Sequence, residues 1–148
     1  MSNSANLYDQ EDLKIMAGFD SLSDMSTNRI QLIRDLAHKT GAKKIGIAHC
    51  ITFRREAQAI EDYLSKYFTV YRVDCKHGAR DISYPCNPAG QADYLNGNDC
   101  DYNISIGLCV GHDMIFNKKS EAYVTNIFSK DFTNNNSPEA ALASISRS

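Results

Sequence analysis

Residues 43–75, KKIGIAHCITFRREAQAIEDYLSKYFTVYRVDC, decide the fold. KKIGIAH is an apolar run of strand length. Thr52 then reads as a helix N-cap, and Phe53, Ala57, Ile60, Leu64 and Phe68 follow at steps of three or four, one face of an α-helix. TVYRVD, residues 69–74, reads as a second strand. Each strand runs into a cysteine, Cys50 and Cys75. Strand, helix and strand at this spacing make a right-handed crossover between parallel neighbours.

The alternation continues downstream. Residues 76–85, KHGARDISYP, form a loop of turn residues. Asn87 followed by Pro88 is an N-cap with proline at the first helical position. That helix is expected to run to about Leu95 and stop in the NGND turn. NISIGL, 103–108, reads as the third strand and YVTNIFS, 123–129, as the fourth. Ser137 and Pro138 repeat the cap-plus-proline signature before EAALASIS. Upstream, Leu13, Met16 and Phe19 mark a short helix over 9–19, and Ser26 or Thr27 opens a second, with Ile30, Ile33, Leu36 and Ala37 before Gly41. Residues 1–8 are expected to be loose and 9–40 to pack as helices on the sheet. The reading is one α/β domain over 1–148. It has three layers: an open parallel sheet of about four strands, in the order 2-1-3-4, with helices on both faces, Rossmann or flavodoxin-like.

The formal net charge of −2 gives no basic excess for nucleic acid. No apolar run is long enough to span a membrane, and the polar N-terminus has no signal-peptide core. A cytoplasmic protein with reduced thiols is expected. Five cysteines cannot all pair internally, which leaves metal binding or catalysis as uses for them.

Four of the five, Cys50, Cys75, Cys86 and Cys109, fall where strands end and helices begin. In an open α/β sheet those places gather along one edge, where ligands bind. With the order 2-1-3-4, Cys50 and Cys109 flank the switch point and their sulfurs should be close. Thiolates select zinc, copper(I) or iron–sulfur clusters. The gaps of 25, 11 and 23 residues contain no CxxC pair. Such dispersion favours an iron–sulfur cluster over structural zinc. His112, three residues past Cys109, is a fifth candidate ligand or a proton donor. Without a metal, Cys86, Cys50 and His112 are candidates for nucleophilic catalysis. Cys86 precedes the Asn87 cap and Cys50 the Thr52 cap, near helix ends that favour thiolate. Arg54 and Arg55 sit in a first helical turn, where a cation is disfavoured unless something negative lies nearby. A cluster or an anionic substrate would answer that, with Lys76 helping. Asn87 and Gln91, four apart, are candidates to hydrogen-bond a bound group. His49 and His77 are weaker, supporting candidates. The plain alternative for each residue is structural: buried thiols, solvated arginines, a loop histidine, a helix cap. Cys100, in a turn, has no strand-end placement and is set aside.

GIAHCITFRREA, CKHG, CNPAGQADYLN, IGLCVGHD and VTNIFSKD, in this order, resemble domain-of-unknown-function family 1847 over roughly residues 27–145. Members of that family are often labelled metal-binding, which implies a metal here. Many carry a cysteine-rich leader, whereas this chain has no cysteine before Cys50. A metal site built from that leader is therefore expected to be absent. The family's last motif usually holds an Arg and a His that Lys130–Pro138 lacks.

Three functions compete at this point. The first is a cytoplasmic metalloprotein with an iron–sulfur cluster (zinc as alternative) on the four cysteines, open to a small or sulfur-containing ligand. The second is a metal-free cysteine-nucleophile enzyme acting on a small anionic substrate. The third is a non-catalytic binding domain.

Overall fold

The computed structural model describes residues 4–22 and 27–146. Two compact units result, one up to Lys43 and one from Lys44 onward.

In the first unit a 3-10 turn, Ser4–Leu7, precedes α1, Gln10–Asp20. Asp9 caps α1 and Asp12 reciprocates, a closed capping box. α2 spans Arg29–Thr40. Its cap is Asn28, whose side chain accepts from the Gln31 N–H. Thr27 is therefore not the cap, and Ser26 lies outside the described residues. Gly41 ends the helix in the left-handed conformation, as its position foretold.

The second unit carries the sheet. Strands β1 (Lys44–His49), β2 (Thr69–Asp74), β3 (Tyr102–Ile106) and β4 (Tyr123–Phe128) are all parallel, in the order β2-β1-β3-β4. Helices α3 (Arg54–Leu64), α4 (Pro88–Gly97) and α5 (Val110–Lys119) connect them, and α6 (Pro138–Ser146) follows β4. The amphipathic face of α3 lands as its spacing requires: Phe53, Ala57, Ile60, Leu64 and Phe68 are all buried. On the opposite face Ala48 and Val73 meet Ala92 and Leu95 of α4 and Phe116 of α5. The sheet is thus covered on both sides. Among the described residues no helix is long and apolar enough to cross a membrane.

Four local expectations are corrected. Thr52 is not the cap of α3: Cys50 caps a 3-10 turn, Ile51–Phe53, and α3 follows from Arg54. β3 stops at Ile106, because Gly107 turns the chain with φ +64°. β4 ends at Phe128, one residue early. His112 lies in α5 rather than in a loop. That helix leaves Val110, Met114 and Ile115 exposed and buries Phe116. Its apolar spacing therefore gives little helical signal.

Gly46 in β1 is required by packing. A Cβ there would stand 2.1 Å from the Asn103 Oδ1 and 2.9 Å from Leu95. Asn103 is the register partner of Gly46, fully buried, and donates to the Ser120 hydroxyl. Gly46→Ala is expected to destabilise the unit by about 2–3 kcal/mol in urea unfolding, with β1 and β3 forced apart.

Candidate functional site

Every strand of a parallel sheet points the same way, so α3, α4 and α5 all begin at one edge. Cys50 and Cys75 each stand one residue past the end of a strand. Cys50 donates its N–H to the Ile106 carbonyl at 3.3 Å, and the Cys75 carbonyl accepts from Asn87 N–H at 2.9 Å. Cys109 is the N-cap of α5. Cys86 immediately precedes the cap of α4. All five cysteines are free, Cys50 and Cys75 being buried.

The sulfurs neighbour one another along this edge. Lys130, just past β4, turns its ammonium toward the thiols of both Cys50 and Cys109. This ties together the two strand ends that flank the switch point. Cys75 lies near enough to Cys50 and Cys86 for both to raise its value. The Lys76 ammonium lies 3.7 Å from the Cys86 Sγ and donates to the Pro85 carbonyl at 2.8 Å. Ile51 N–H points at the Cys75 Sγ from 3.4 Å. Cys100 stands apart at the opposite end of the sheet, packed against the core, with its thiol pushed up to about 11 by burial.

The thiols differ in acidity. Burial pushes Cys50 up, but the Lys130 ammonium, the Thr52 hydroxyl and the Thr52 N–H outweigh it, so its value falls below that of an ordinary thiol. Lys130 is correspondingly raised: burial lowers it, and the facing sulfurs of Cys50 and Cys109 more than offset that. Burial, with the neighbouring Cys50 and Cys86, pushes Cys75 up to about 11, against the Ile51 N–H. Cys50 is thus the more readily ionised of the two, and Cys75 is held neutral. Among the described residues no three His, Cys, Asp or Glu side chains are grouped so as to hold a metal ion.

His49, fully buried, anchors this edge from the α3 face. Its Nδ1 lies 2.8 Å from the Cys50 carbonyl and its Nε2 lies 3.0 Å from Arg72 Nη1. A carbonyl only accepts and a guanidinium only donates, so the ring is neutral with its proton on Nδ1. Arg72 is held in turn by Glu61 Oε1 at 3.2 Å and Gln58 Oε1 at 2.9 Å. Burial, ahead of repulsion from Arg72 and against the Cys50 hydrogen bond, lowers the His49 value below 6.5. The unfolded chain then takes up a proton at a higher pH than the native protein does. Stability is therefore full above about pH 6.5 and falls as pH drops through it, by up to about 1.4 kcal/mol per pH unit. Urea midpoints between about pH 5 and 8 are expected to show this slope, and His49→Gln to flatten it.

The remaining candidates have defined places. Asn87 caps α4, accepting from Gly90 N–H and donating to the His77 carbonyl. Gln91 is buried and braces the strand ends, its Nε2 donating to the carbonyls of His49 and Val73. Its Oε1 has no partner among the described residues. Arg54 and Arg55 do occupy the first turn of α3. The negative group beside Arg54 is Asp74, 3.8 Å away. Arg55 is exposed and makes no ion pair among the described residues. His112 is half-buried in the first turn of α5. The His77 ring packs on Tyr94, 5.1 Å between centroids. Beside the end of β2 a cleft of about 400 Å³ is lined by Arg72, Val73, Asp74, Lys76, His77 and Tyr94.

Lys130 does not stand out in the sequence as a site residue. The rule that marks Cys50 and Cys75 would mark it too, since it also follows a strand. Only its residue type hid it.

The chain matches the profile of a family described as proteins of unknown function, DUF1847, over residues 1–84 and 80–127. It is similar to an uncharacterized protein of Methanocaldococcus jannaschii, 37% identical over 140 residues that cover 82% of this chain and 72% of the relative. No solved structure matches it.

Proposed function

This chain belongs to DUF1847, a family of proteins of unknown function, and we propose that its sheet edge is a thiolate site in which Cys50 attacks an electrophilic centre of a small anionic ligand. The observation that carries this reading is Lys130, whose ammonium faces the Cys50 sulfur where α3 begins. A thiolate is the nucleophile at sulfur, and a facing cation is how a buried one is kept ionised. Arg54 and Arg55 on the first turn of α3, with Lys76 beside the β2 cleft, supply charge for the ligand's acidic groups. The cytoplasm, where thiols are kept reduced, suits such a site.

Iodoacetamide labelling across pH, mapped by mass spectrometry, tests the assignment. Cys50 is expected to react first, with a midpoint below those of Cys75 and Cys100. Lys130→Met is expected to raise that midpoint by about one pH unit and slow labelling at neutral pH about tenfold. Labelling of Cys50 no faster than of Cys75 would end this reading.

A second reading keeps Cys50, Cys75, Cys86 and Cys109 as ligands of an iron–sulfur cluster, with zinc as the alternative and His112 beside it. The nearness of Cys75 to Cys50 and Cys86 favours it. The arrangement fits it less well, since no three such side chains are grouped among the described residues and Lys130 already sits against two of the sulfurs. Metal analysis after anaerobic purification separates the two. Stoichiometric iron or zinc, lost in Cys75→Ser and Cys86→Ser, would transfer the assignment to the metal.

A further inference from the structure

His49 and Asp74 are the last register pair of β1 and β2. Cys50 and Cys75 follow them directly, and Cys50 keeps extended backbone, φ −70° and ψ 146°. In-register neighbours on adjacent strands lie about 4.8 Å apart, inside the roughly 4.4–6.8 Å between Cα atoms that a disulfide spans. Cys75 opens a turn, and its sulfur lies 3.4 Å from the Ile51 nitrogen, beside Cys50. The peptide between Cys50 and Ile51 marks how near they are: its carbonyl is held by the His49 Nδ1–H and the Phe53 N–H, and its own N–H reaches the Cys75 sulfur.

Resting on the nucleophile reading above, we propose that Cys75 is the resolving thiol for Cys50 and that the substrate class is a small acidic disulfide. The Cys50 thiolate attacks one sulfur of the substrate disulfide. A mixed disulfide forms on Cys50 and the first substrate thiolate leaves. Cys75 gives its proton to water and attacks the Cys50 sulfur. The Cys50–Cys75 bond forms and the second substrate thiolate leaves. The cysteine pair loses two electrons and the substrate gains them. Burial keeps Cys75 neutral beforehand, so it does not compete for the first attack. The negative charge of Cys50, which opposes ionisation of Cys75, disappears in the mixed disulfide.

The probe is dithiobis(nitrobenzoate), an acidic aromatic disulfide, supplied anaerobically in less than equimolar amount to the whole chain. The expected result is release of both thionitrobenzoate ions per reagent molecule, with a Cys50–Cys75 linkage in a non-reducing peptide map. Cys75→Ser, and Cys75→Ala as a second variant, are expected to release one ion and retain the adduct on Cys50. Wild-type protein that stops at one ion with the adduct on Cys50 overturns the pairing and leaves the nucleophile standing. A linkage to Cys86 or Cys109 instead also overturns it. An adduct on a cysteine other than Cys50 removes the nucleophile reading itself.

Discussion

Replacing Cys50 by serine is expected to abolish the fast thiol reaction while the fold survives. Serine is nearly isosteric, and its hydroxyl can still accept from the half-buried Lys130. The hydroxyl has no accessible anion at neutral pH, and loss of a nucleophile of this kind costs at least about a thousandfold in rate. The reaction is followed by release of thionitrobenzoate in stopped flow, and folding by circular dichroism and urea unfolding. If Cys50→Ser keeps a rate within about tenfold of the parent, another thiol does the work and Lys130 has a different role.

The largest stability effect is expected at Gly107. Its φ of +64° lies in the left-handed region, and a Cβ there would stand 2.1 Å from Cδ2 and 2.5 Å from Cε2 of Phe53. Phe53 has little freedom to retreat. It meets Phe128 edge-on at 4.9 Å and stacks on Phe132 at 6.0 Å. The backbone penalty of about 1–2 kcal/mol adds to overpacking of about 1–3 kcal/mol. Gly107→Ala is thus expected to lose about 2–5 kcal/mol in urea unfolding. Gly97 is the control, since a Cβ there would meet nothing within 4 Å. Gly97→Ala is expected to change stability by no more than about 1 kcal/mol. Equal losses in the two variants would show that the Phe53 contact is not the cause.

The strand order was legible because the pattern of Lys43–Cys75 leaves little choice. An apolar strand, a one-faced helix and a second strand build one crossover, and the later strands extend it. The Asn87-Pro88 and Ser137-Pro138 signatures work because capping chemistry is local: Asn87 accepts from Gly90 N–H, and Ser137 from Ala140 N–H. The gathering of thiols at one edge followed from topology alone. What lay beyond reach was chemistry between distant residues. For Arg54 the first-turn conflict is met by Asp74, which only the pairing of β1 with β2 brings near. His49 was visible as a supporting candidate, but not its partner Arg72. Helix α5 gave no stripe to read, since its apolar residues are mostly exposed.

The common starting edge of α3, α4 and α5 has a long-range effect. Three peptide dipoles present their positive ends where Lys130, Arg54 and Arg55 already stand. The molecule carries a net −2, yet these helix ends and cations are expected to favour anions at this edge. Screening over a Debye length of about 10 Å at 0.1 M salt should weaken that attraction. Iodoacetate should therefore gain on neutral iodoacetamide at Cys50 as ionic strength falls, and lose that advantage in high salt.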